Sequence, residues 1–514
     1  MSATKNTRNP WAWVPTLYFA EGLPYVAVMT ISIVLYKQLG LNNAEITFYT
    51  SWLYLPWVIK PLWSPFIDLV RTKRWWILSM ELLLGAAFGG VAFTIPTHHW
   101  LQATLFFFWV MAFSSATHDI AADGFYMLGL DQHQQAWFVG IRSTFYRLAT
   151  IFGQGILVMI AGNLQVIYRN NIALSWSLMF YGVTGLFIAL WLWHSYVLPR
   201  PESDNSNDNE NEKVNVDVPV KAAGVSIKKD SGLLLRIGLY SLIALAFTAA
   251  IALLLPAVKS FVCSLFAIYL LIVFFYIISP GFRQTISTFF TKFPAKTVTI
   301  AILFMLFYRM PEGLLVKVSA LFLIDASHNG GLGLSPQEYG LVQGTVGVIG
   351  LTIGGILGGL CAGRDGLKRW LWPMVLAITL PDLVYVYMSY ALPRSLTIIN
   401  TCVFVEQFGY GFGFTAYMLY LIFYSQGAFK TSHYALCTAF MALSMMIPGL
   451  FAGELQQAVG YRTFFIIVTA CCLMTFVVAA IVDIDPEFGK KKKEESLAAS
   501  PSAEDEESDK TADY

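Results

Sequence analysis

Two carboxylates and an imidazole occur in a segment that is otherwise apolar enough to cross a membrane. The segment covers residues 100–127 and contains His118, Asp119 and Asp123. Asp119 and Asp123 are four residues apart, so both lie on one face of the predicted helix. A carboxylate at membrane depth costs about 3 kcal/mol on insertion scales, so this face must meet a cation, a proton or water. We therefore expect a gate or a proton relay here; an ion pair that only locks two helices together is the alternative.

Two glutamates are predicted at similar depth in two further membrane spans. Glu21 lies roughly 15 Å into the first span, and Glu312 lies comparably deep in a later one. Pro24 and Pro311 adjoin these glutamates and are expected to loosen each helix locally. Burial favours a neutral carboxyl and a nearby cation favours the charged form, so Glu21, Asp119 or Glu312 can titrate between two transport states. Charged residues at mid-membrane depth in two corresponding spans favour a site for substrate or protons.

Other polar side chains accompany Glu312 within two or three helical turns. They are Tyr308, Arg309 and Lys317. A static Arg309–Glu312 pair, with no solute passing it, is the alternative to a site. In another span the pair 406–407 (Glu-Gln) precedes several glycines, which favours either a polar ligand or close helix packing. The predicted pathway for substrate and protons is lined by Glu21, Tyr25, Asp119, Asp123, Tyr308, Arg309, Glu312, Lys317, Glu406 and Gln407.

Two arginines near the start of the fifth span are natural partners for the paired aspartates. Arg142 and Arg147 are expected to face Asp123 and Asp119. We interpret these pairs as an inner gate, and a static structural lock is again the alternative.

The composition is that of a helical protein with many membrane spans. Of 514 residues, 56% are hydrophobic and 13% are charged, and the mean hydropathy is +0.60; soluble domains are nearer 25% charged. A net charge of +1 offers no footprint for nucleic acid. The six cysteines lie in apolar segments without metal-ligand spacing, and there is no glycine-rich loop with a Lys-Ser/Thr pair that would bind ATP. We expect no metal and no cofactor, with the proton gradient as the energy source.

Apolar runs of about 20 residues predict fourteen spans, arranged as six, two and six. We number the spans of the two sets of six from 1 to 12 and leave the inserted pair unnumbered. The spans lie near 11–37, 44–68, 75–96, 100–127, 138–166 and 172–198, then 232–256 and 259–280, then 296–325, 336–362, 369–391, 396–425, 431–458 and 461–483. The predicted domains are an N-terminal bundle (1–198), a cytoplasmic linker (199–230), the inserted pair (231–295), a C-terminal bundle (296–484) and a disordered cytoplasmic tail (485–514).

Basic residues predict the orientation in the membrane. If the spans alternate, the basic loops after spans 2 and 8 and the lysine run 490–493 fall on one side, whereas the loops 41–44, 97–100 and 326–334 carry no Lys or Arg. The positive-inside rule then places both termini in the cytoplasm.

The two sets of six spans resemble copies of each other. Glu-Gly-Leu at 21–23 returns at 312–314, Leu-Gly-Leu at 39–41 returns at 332–334, and Lys-Arg-Trp at 73–75 returns at 368–370. Six-span halves repeated in parallel are typical of the major facilitator fold. The sequence therefore predicts an all-α membrane protein with two six-helix bundles and an inserted pair.

Four motifs resemble those of the AmpG-type muropeptide permeases and the related acetyl-CoA transporters. The stretch 60–68 (Lys-Pro-Leu-Trp-Ser-Pro-Phe-Ile-Asp) is similar to their K-x-L-W-x-P-x-x-D element, and 118–123 is similar to their [QH]-D-I-x-x-D element. Residues 21–24 resemble their first-span S-G-L-P, with Glu in place of the small residue, and 146–148 resemble Y-R-L. The N-terminal half carries this resemblance, and the C-terminal half matches only in layout.

The resemblance implies proton-driven import of N-acetylglucosaminyl-anhydromuramyl peptides across a bacterial inner membrane, for recycling of the cell wall. It also implies a functional framework of Lys60, Asp68, Asp119, Asp123 and Arg147. With Arg142, the residues Lys60, Asp68 and Arg147 complete the predicted gate and framework. We expect a monomer whose partners are protons, lipid and a glycopeptide or sugar.

Three other functions remain open beside this one: a carrier of another solute, a membrane-embedded enzyme and a receptor. A carrier of another solute, such as a simple sugar or an acyl-CoA-like molecule, has the same architecture. A membrane-embedded enzyme would use Asp119 and Asp123 as an acid–base pair, but only His118 stands beside them as a further reactive group. A receptor or an enzyme would not explain the parallel repeat, which follows directly from alternating access.

Overall fold

A computed structural model describes residues 8–69, 71–130, 132–200, 280–426, 430–486 and 488, with a few positions between 266 and 277. Within these ranges the regular structure is helical, and no strand is present. The predicted linker, nearly all of the inserted pair and nearly all of the tail lie outside the described residues. Those boundaries, and the count of fourteen spans, stay predictions.

The N-terminal half contains nine helices that form the six predicted spans. They are α1 Val14–Val26, α2 Ser32–Gln38, α3 Asn43–Trp52, α4 Leu55–Leu69, α5 Lys73–Thr94, α6 Trp100–Gly129, α7 Gln132–Thr150, α8 Val158–Ile167 and α9 Ile172–Val197. A π-helical turn, Ala27–Ile31, joins α1 to α2, and another, Ile151–Leu157, joins α7 to α8.

The C-terminal half repeats this arrangement after a short connecting helix. Its helices are α10 Pro280–Thr291, α11 Ala295–Phe307, α12 Met310–Ile324, α13 Pro336–Tyr339, α14 Val348–Asp365, α15 Leu367–Thr379, α16 Leu383–Ala391, α17 Leu396–Ser425 and α18 Lys430–Ile481. A third π-helical segment, Gly340–Gly347, joins α13 to α14. Helix α18 holds spans 11 and 12, which meet at a kink where Gly460 has a φ of 75°.

Nine helical segments of the described chain are long and apolar enough to cross a membrane. Hydrocarbon thickness fixes the length of a spanning helix, which is why apolar runs alone place the spans within a few residues. The two prolines beside the glutamates mark the expected irregularities. Span 1 turns into a π-helix three residues after Pro24, and span 7 is interrupted at Arg309, just before Pro311 at the start of α12.

Among the described residues, the largest hydrophobic cluster is shared by the two halves. At the end opposite the chain termini, one cluster contains Val34 and Tyr36 from the N-terminal half together with Phe322 and Tyr461 from the C-terminal half. At the end that carries the termini, each half has a cluster of its own. An extensive core therefore joins the halves at the far end, and a small cluster of Ile59, Leu62 and Phe282 also joins them among the described residues.

Glycines allow the close helix contacts between and within the halves. A side chain at Gly344 in span 8 would meet the backbone of Gln154 and Gly155 in span 5 of the other half. Within the C-terminal half, Gly350 and Gly354 approach the backbone of span 10. The glycine run of span 8 thus serves packing.

Candidate functional site

Asp123 forms an ion pair with Arg142 at the termini end of the N-terminal half. The Arg142 guanidinium lies 2.9 Å from the Asp123 carboxylate and stacks over Tyr18 with its carbon 4.6 Å from the ring centre. The Tyr18 hydroxyl donates to Asp123 at 3.3 Å. Tyr434 from the C-terminal half also interacts electrostatically with Asp123 and Arg142. Because the Asp123 side chain is 43% exposed although it faces the other half, the halves leave space between them here.

Asp119 and Glu21 lie deeper on the same face. The indole N–H of Trp57 donates to Asp119 at 3.1 Å. Glu21 is buried, and one of its oxygens has no hydrogen-bond partner among the described residues. Glu21 interacts electrostatically with Asp119, Asp123 and Arg142, and Lys60 is the cation that acts on both Glu21 and Asp119. Glu21 from span 1, Lys60 from span 2 and the two aspartates from span 4 therefore lie close together. We call the three carboxylates of Glu21, Asp119 and Asp123 the N-terminal acidic group.

His118 points away from this acidic group. Its ring nitrogen lies 3.5 Å from Glu81 in α5, and His194 in α9 contacts the same glutamate oxygen at 2.5 Å. All three side chains are fully buried. The cluster joins α5, α6 and α9 inside the N-terminal bundle. Sequence reasoning missed Glu81 and His194, although each is an isolated polar residue in a predicted span.

Arg309 is held in a cage of aromatic side chains at the interface between the halves. Its guanidinium carbon lies 4.6 Å from the ring centre of Phe414 and 5.8 Å from that of Tyr417, and it donates a hydrogen bond to the hydroxyl of Tyr410. From the N-terminal half, Tyr25 interacts with it electrostatically. The alternative of a static Arg309–Glu312 ion pair is not observed: among the described residues no carboxylate lies within 4.0 Å of this guanidinium. The aromatic cage occupies the guanidinium instead.

Lys317 is a second buried cation on span 7. Its side chain is 1% exposed, donates to the Thr50 hydroxyl at 3.2 Å, and lies 5.2 Å from the ring centre of Tyr54. Thr50 and Tyr54 belong to span 2, so Lys317 also faces the other half. In the described chain no acidic group pairs with it.

Three buried carboxylates meet inside the C-terminal half. One oxygen each from Glu312, Asp382 and Glu406 lie within 4.8 Å of one another. Glu406 accepts hydrogen bonds from Gln407 at 2.9 Å and from Tyr385 at 3.4 Å. Three carboxylates this close in a medium of low dielectric require a shared proton or a cation. Sequence reasoning missed Asp382, the lone acid of a predicted apolar span.

Tyr308 and Arg147 are predicted as site residues, but they do not lie in the acidic groups described above. Tyr308 is packed within the C-terminal core, with its hydroxyl donating to the carbonyl of Gly413 at 3.0 Å. Arg147 does not pair with Asp119 in the described chain, because its guanidinium extends across to span 8 beside Gly355. The side chain of Asp68 lies outside the described part of the structure.

A polar network closes the interface at the end opposite the termini. Lys37 and Asp325 form an ion pair of 3.1 Å, and the Asn43 amide donates to Gln456 at 2.7 Å and to the Tyr461 hydroxyl at 2.9 Å. We call these five residues the far-end network. Burial alone would raise the pKa of the Asp325 carboxyl, but hydrogen bonds from Asn329 and Lys37 and the Lys37 charge hold it below its usual value. Sequence reasoning missed this network, because its residues lie at the edges of five different spans.

The family of the chain follows from comparison with known proteins. A family model described as the BT1 family matches residues 19–359. The chain belongs to the BT1 family. It is 20% identical to putative transporter AmpG 4 of Rickettsia conorii over 460 residues, which cover 88% of this chain and 91% of that protein. It is 21% identical to the anhydromuropeptide permease of Escherichia coli K12 over 471 residues, 89% of this chain and 76% of that one.

Shorter matches and solved structures agree with this assignment. Putative transporter AmpG 1 of Rickettsia prowazekii is 25% identical over 175 residues, and the match spans only 38% of that protein. The fold is similar to that of tetrameric PepTSo2, with a TM-score of 0.60, 14% identity and coverage of 91% and 96% of the two chains. It is also similar to a D-xylose–proton symporter, with a TM-score of 0.59, 12% identity and coverage of 94% and 99%.

These comparisons confirm the fold class and the broad function predicted from the sequence. The fold is that of the major facilitator transporters. The BT1 family member described here is a membrane-embedded transporter of a small molecule and not an enzyme.

Proposed function

We propose that the chain is a secondary active transporter that imports anhydromuropeptides or related amino-sugar conjugates together with protons. The anhydromuropeptide permease of Escherichia coli and the AmpG-named relatives support the substrate class. The motifs at 60–68 and 118–123 lie on the spans that carry the N-terminal acidic group.

The observation that carries the proposal is an acidic group in each half that includes a buried glutamate, Glu21 or Glu312, at corresponding positions of spans 1 and 7. Glu21 in span 1 lies with Asp119 and Asp123, and Glu312 in span 7 lies with two further carboxylates. A carboxylate at this depth is more stable when protonated or paired with a cation. Each group can therefore take up a proton when it faces one side of the membrane and release it when it faces the other.

The contacts between the halves support alternating access. The far-end network and the shared core close the interface at one end. At the termini end, Asp123 and Arg142 are partly exposed and are the only described ion pair between two spans there that faces the other half. We assign this pair to an inner gate. We further propose that the protein is a monomer of a bacterial inner membrane with both termini in the cytoplasm, and on that orientation we assign this arrangement of contacts to an inward-facing state.

Uptake into liposomes tests the proposal. The full chain, reconstituted alone, should accumulate radiolabelled anhydromuropeptide when the pH gradient is imposed, and a protonophore should abolish the accumulation. Uptake of plain N-acetylglucosamine without uptake of the muropeptide would reject the substrate and retain the carrier. Equal muropeptide uptake with and without the gradient would reject proton coupling.

A further inference from the structure

We propose that Arg309 and Lys317 form a binding subsite for an anionic group of the transported molecule, a carboxylate or a phosphate. The proposal deepens the function given above by naming the group that is bound, and it rests on that function for the amino-sugar scaffold. It follows from two buried cations that no described carboxylate neutralises.

Arg309 is buried with fewer hydrogen-bond acceptors than its guanidinium can use. The residue is 6% exposed, and its Nε atom has no hydrogen-bond partner among the described residues. A guanidinium has five N–H donors, and among the described residues one acceptor, the Tyr410 hydroxyl, is hydrogen-bonded to it. Aromatic faces stabilise the charge by about 1–2 kcal/mol but accept no N–H. A buried arginine in this state lacks the acceptor for which its planar fork is suited, an oxyanion.

Lys317 and Arg309 lie near the same tyrosine. Both cations act on the same tyrosine of the N-terminal half: Lys317 lies 5.2 Å from the ring of Tyr54, and Arg309 interacts with the Tyr54 phenol electrostatically. Tyr25, the neighbour of Tyr54, interacts with Arg309 and also with Asp119. The two cations thus flank one tyrosine pair at the interface, next to the N-terminal acidic group.

In the described part of the chain, no acidic side chain lies within ion-pair distance of Arg309 or Lys317. Glu312 is the acid that acts on Arg309, but it lies beyond ion-pair distance and is grouped with Asp382 and Glu406. Burying an unpaired charge is costly, and such residues in membrane spans mark solute pathways. A molecule bearing one negative charge would supply the missing partner and would place its apolar face near Tyr25 and Trp57, whose rings are 5.2 Å apart.

Binding of three related sugars to the purified full chain tests the subsite. The probes are N-acetylglucosamine, which is neutral, N-acetylmuramic acid, which adds a carboxylate, and N-acetylglucosamine 6-phosphate, which adds a phosphate. The wild type should bind at least one acidic sugar roughly tenfold or more tightly than the neutral one, as expected for a hydrogen bond to a charged group. Preference for the carboxylate or for the phosphate identifies the source of the anion.

Variants assign the preference to the two cations. Arg309→Gln should reduce the ratio of affinities to about one, Lys317→Gln should reduce it in part, and Arg309→Lys should retain an intermediate ratio. Arg462→Gln is the matched control, because Arg462 lies at the far end over Tyr390 and should leave the ratio unchanged. Thermal unfolding confirms that each variant is folded, and Arg309→Lys keeps the test available if the glutamine variant is not.

The outcomes separate this proposal from the one on which it rests. A wild type without preference for either acidic sugar, or an Arg309→Gln variant that retains the preference, overturns the subsite. If anhydromuropeptide uptake and its half-saturating concentration are unchanged in Arg309→Gln, the subsite is rejected and the proposed function stands. If the acidic sugars bind selectively but anhydromuropeptide is not transported, the proposed function is rejected and the subsite stands.

Discussion

Lys37 and Asp325 form an ion pair of 3.1 Å between the ends of spans 1 and 7, the two corresponding spans of the repeated halves. Asp325 also accepts from the Tyr461 hydroxyl at 2.9 Å, and both side chains of that contact are buried. Removing one partner of this pair leaves the other charge uncompensated, at a lower cost than in a fully buried pair because the Lys37 side chain is 19% exposed. This network is therefore the contact whose loss should shift the conformational equilibrium most.

Asp325→Asn should open the far end of the interface. The substitution removes the charge that Lys37 faces, so the closed state loses stability relative to the open one. Spin labels at positions 42 and 457, whose side chains are in contact across the interface, report the opening in a background without native cysteines. We expect a second, longer distance in the variant. A distance distribution identical to that of the parent would contradict the role of the network.

The same labels give the pH dependence of closure. In the closed state the pKa of Asp325 is held below its ordinary value of 3.8. The ionised carboxylate therefore stabilises the closed state fully at any pH above 3.8, and this stabilisation is lost as the pH falls through the lowered pKa. The closed population should accordingly be constant between about pH 8 and pH 5 and should fall only in stronger acid. In Asp325→Asn this acid-dependent change should be absent. If the far end of the interface opens at pH 6 in the parent protein, a group other than Asp325 controls its closure.

How much of this arrangement the sequence predicts depends on the distance over which each interaction acts. Span positions follow from local hydropathy, and the loosened helices at Pro24 and Pro311 follow from local backbone chemistry. The face of a helix is also local, which is why Asp119 and Asp123 share a side. Lys37 and Asp325 were not predicted as partners, because no local rule brings the ends of spans 1 and 7 together.

The site illustrates the same limit at the level of single side chains. Arg309 and Glu312 are three residues apart, a spacing that leaves a static pair open as an alternative, but the break in span 7 turns the guanidinium toward Phe414 and Tyr410. Asp382 is a lone acid in an apolar span, and nothing near it in the sequence indicates a partner. Only the packing of span 9 against spans 7 and 10 brings it to Glu312 and Glu406.

Asp119→Asn should separate proton coupling from solute exchange. The amide keeps the size and the hydrogen bond from Trp57 but cannot take up a proton. Accumulation driven by a pH gradient should be lost, whereas exchange of labelled for unlabelled substrate across the liposome membrane should persist. Asp365→Asn, at the end of α14 beside Arg369, is the matched control and should accumulate substrate normally. Normal accumulation in Asp119→Asn would exclude this residue from coupling.

Asp382→Asn should stabilise the protein while impairing transport. It removes one of three clustered carboxylates and keeps the volume of the side chain, so the electrostatic cost of the cluster falls. The expected gain in the free energy of unfolding is about 1 kcal/mol, the usual size for a single stabilising substitution. Transport should be impaired, because stabilising substitutions at functional sites commonly reduce activity. The melting temperature in detergent, compared with that of Asp365→Asn, measures the gain. A lower melting temperature would indicate that the cluster is held together by a bound cation that needs all three carboxylates.

Gly344→Ala should destabilise the contact between spans 5 and 8, whereas Gly359→Ala should not. A methyl group at position 344 would meet the backbone of Gln154 and Gly155, which cannot move aside as a flexible side chain can. Overpacking of this kind costs about 1–3 kcal/mol. At Gly359 nothing lies within 4 Å of the added carbon, and alanine gains about 1 kcal/mol of helix propensity. Because spans 5 and 8 belong to different halves, Gly344→Ala should also slow transport by obstructing their movement past each other. Equal melting temperatures and equal transport rates for the two variants would show that this close approach is not needed in either state.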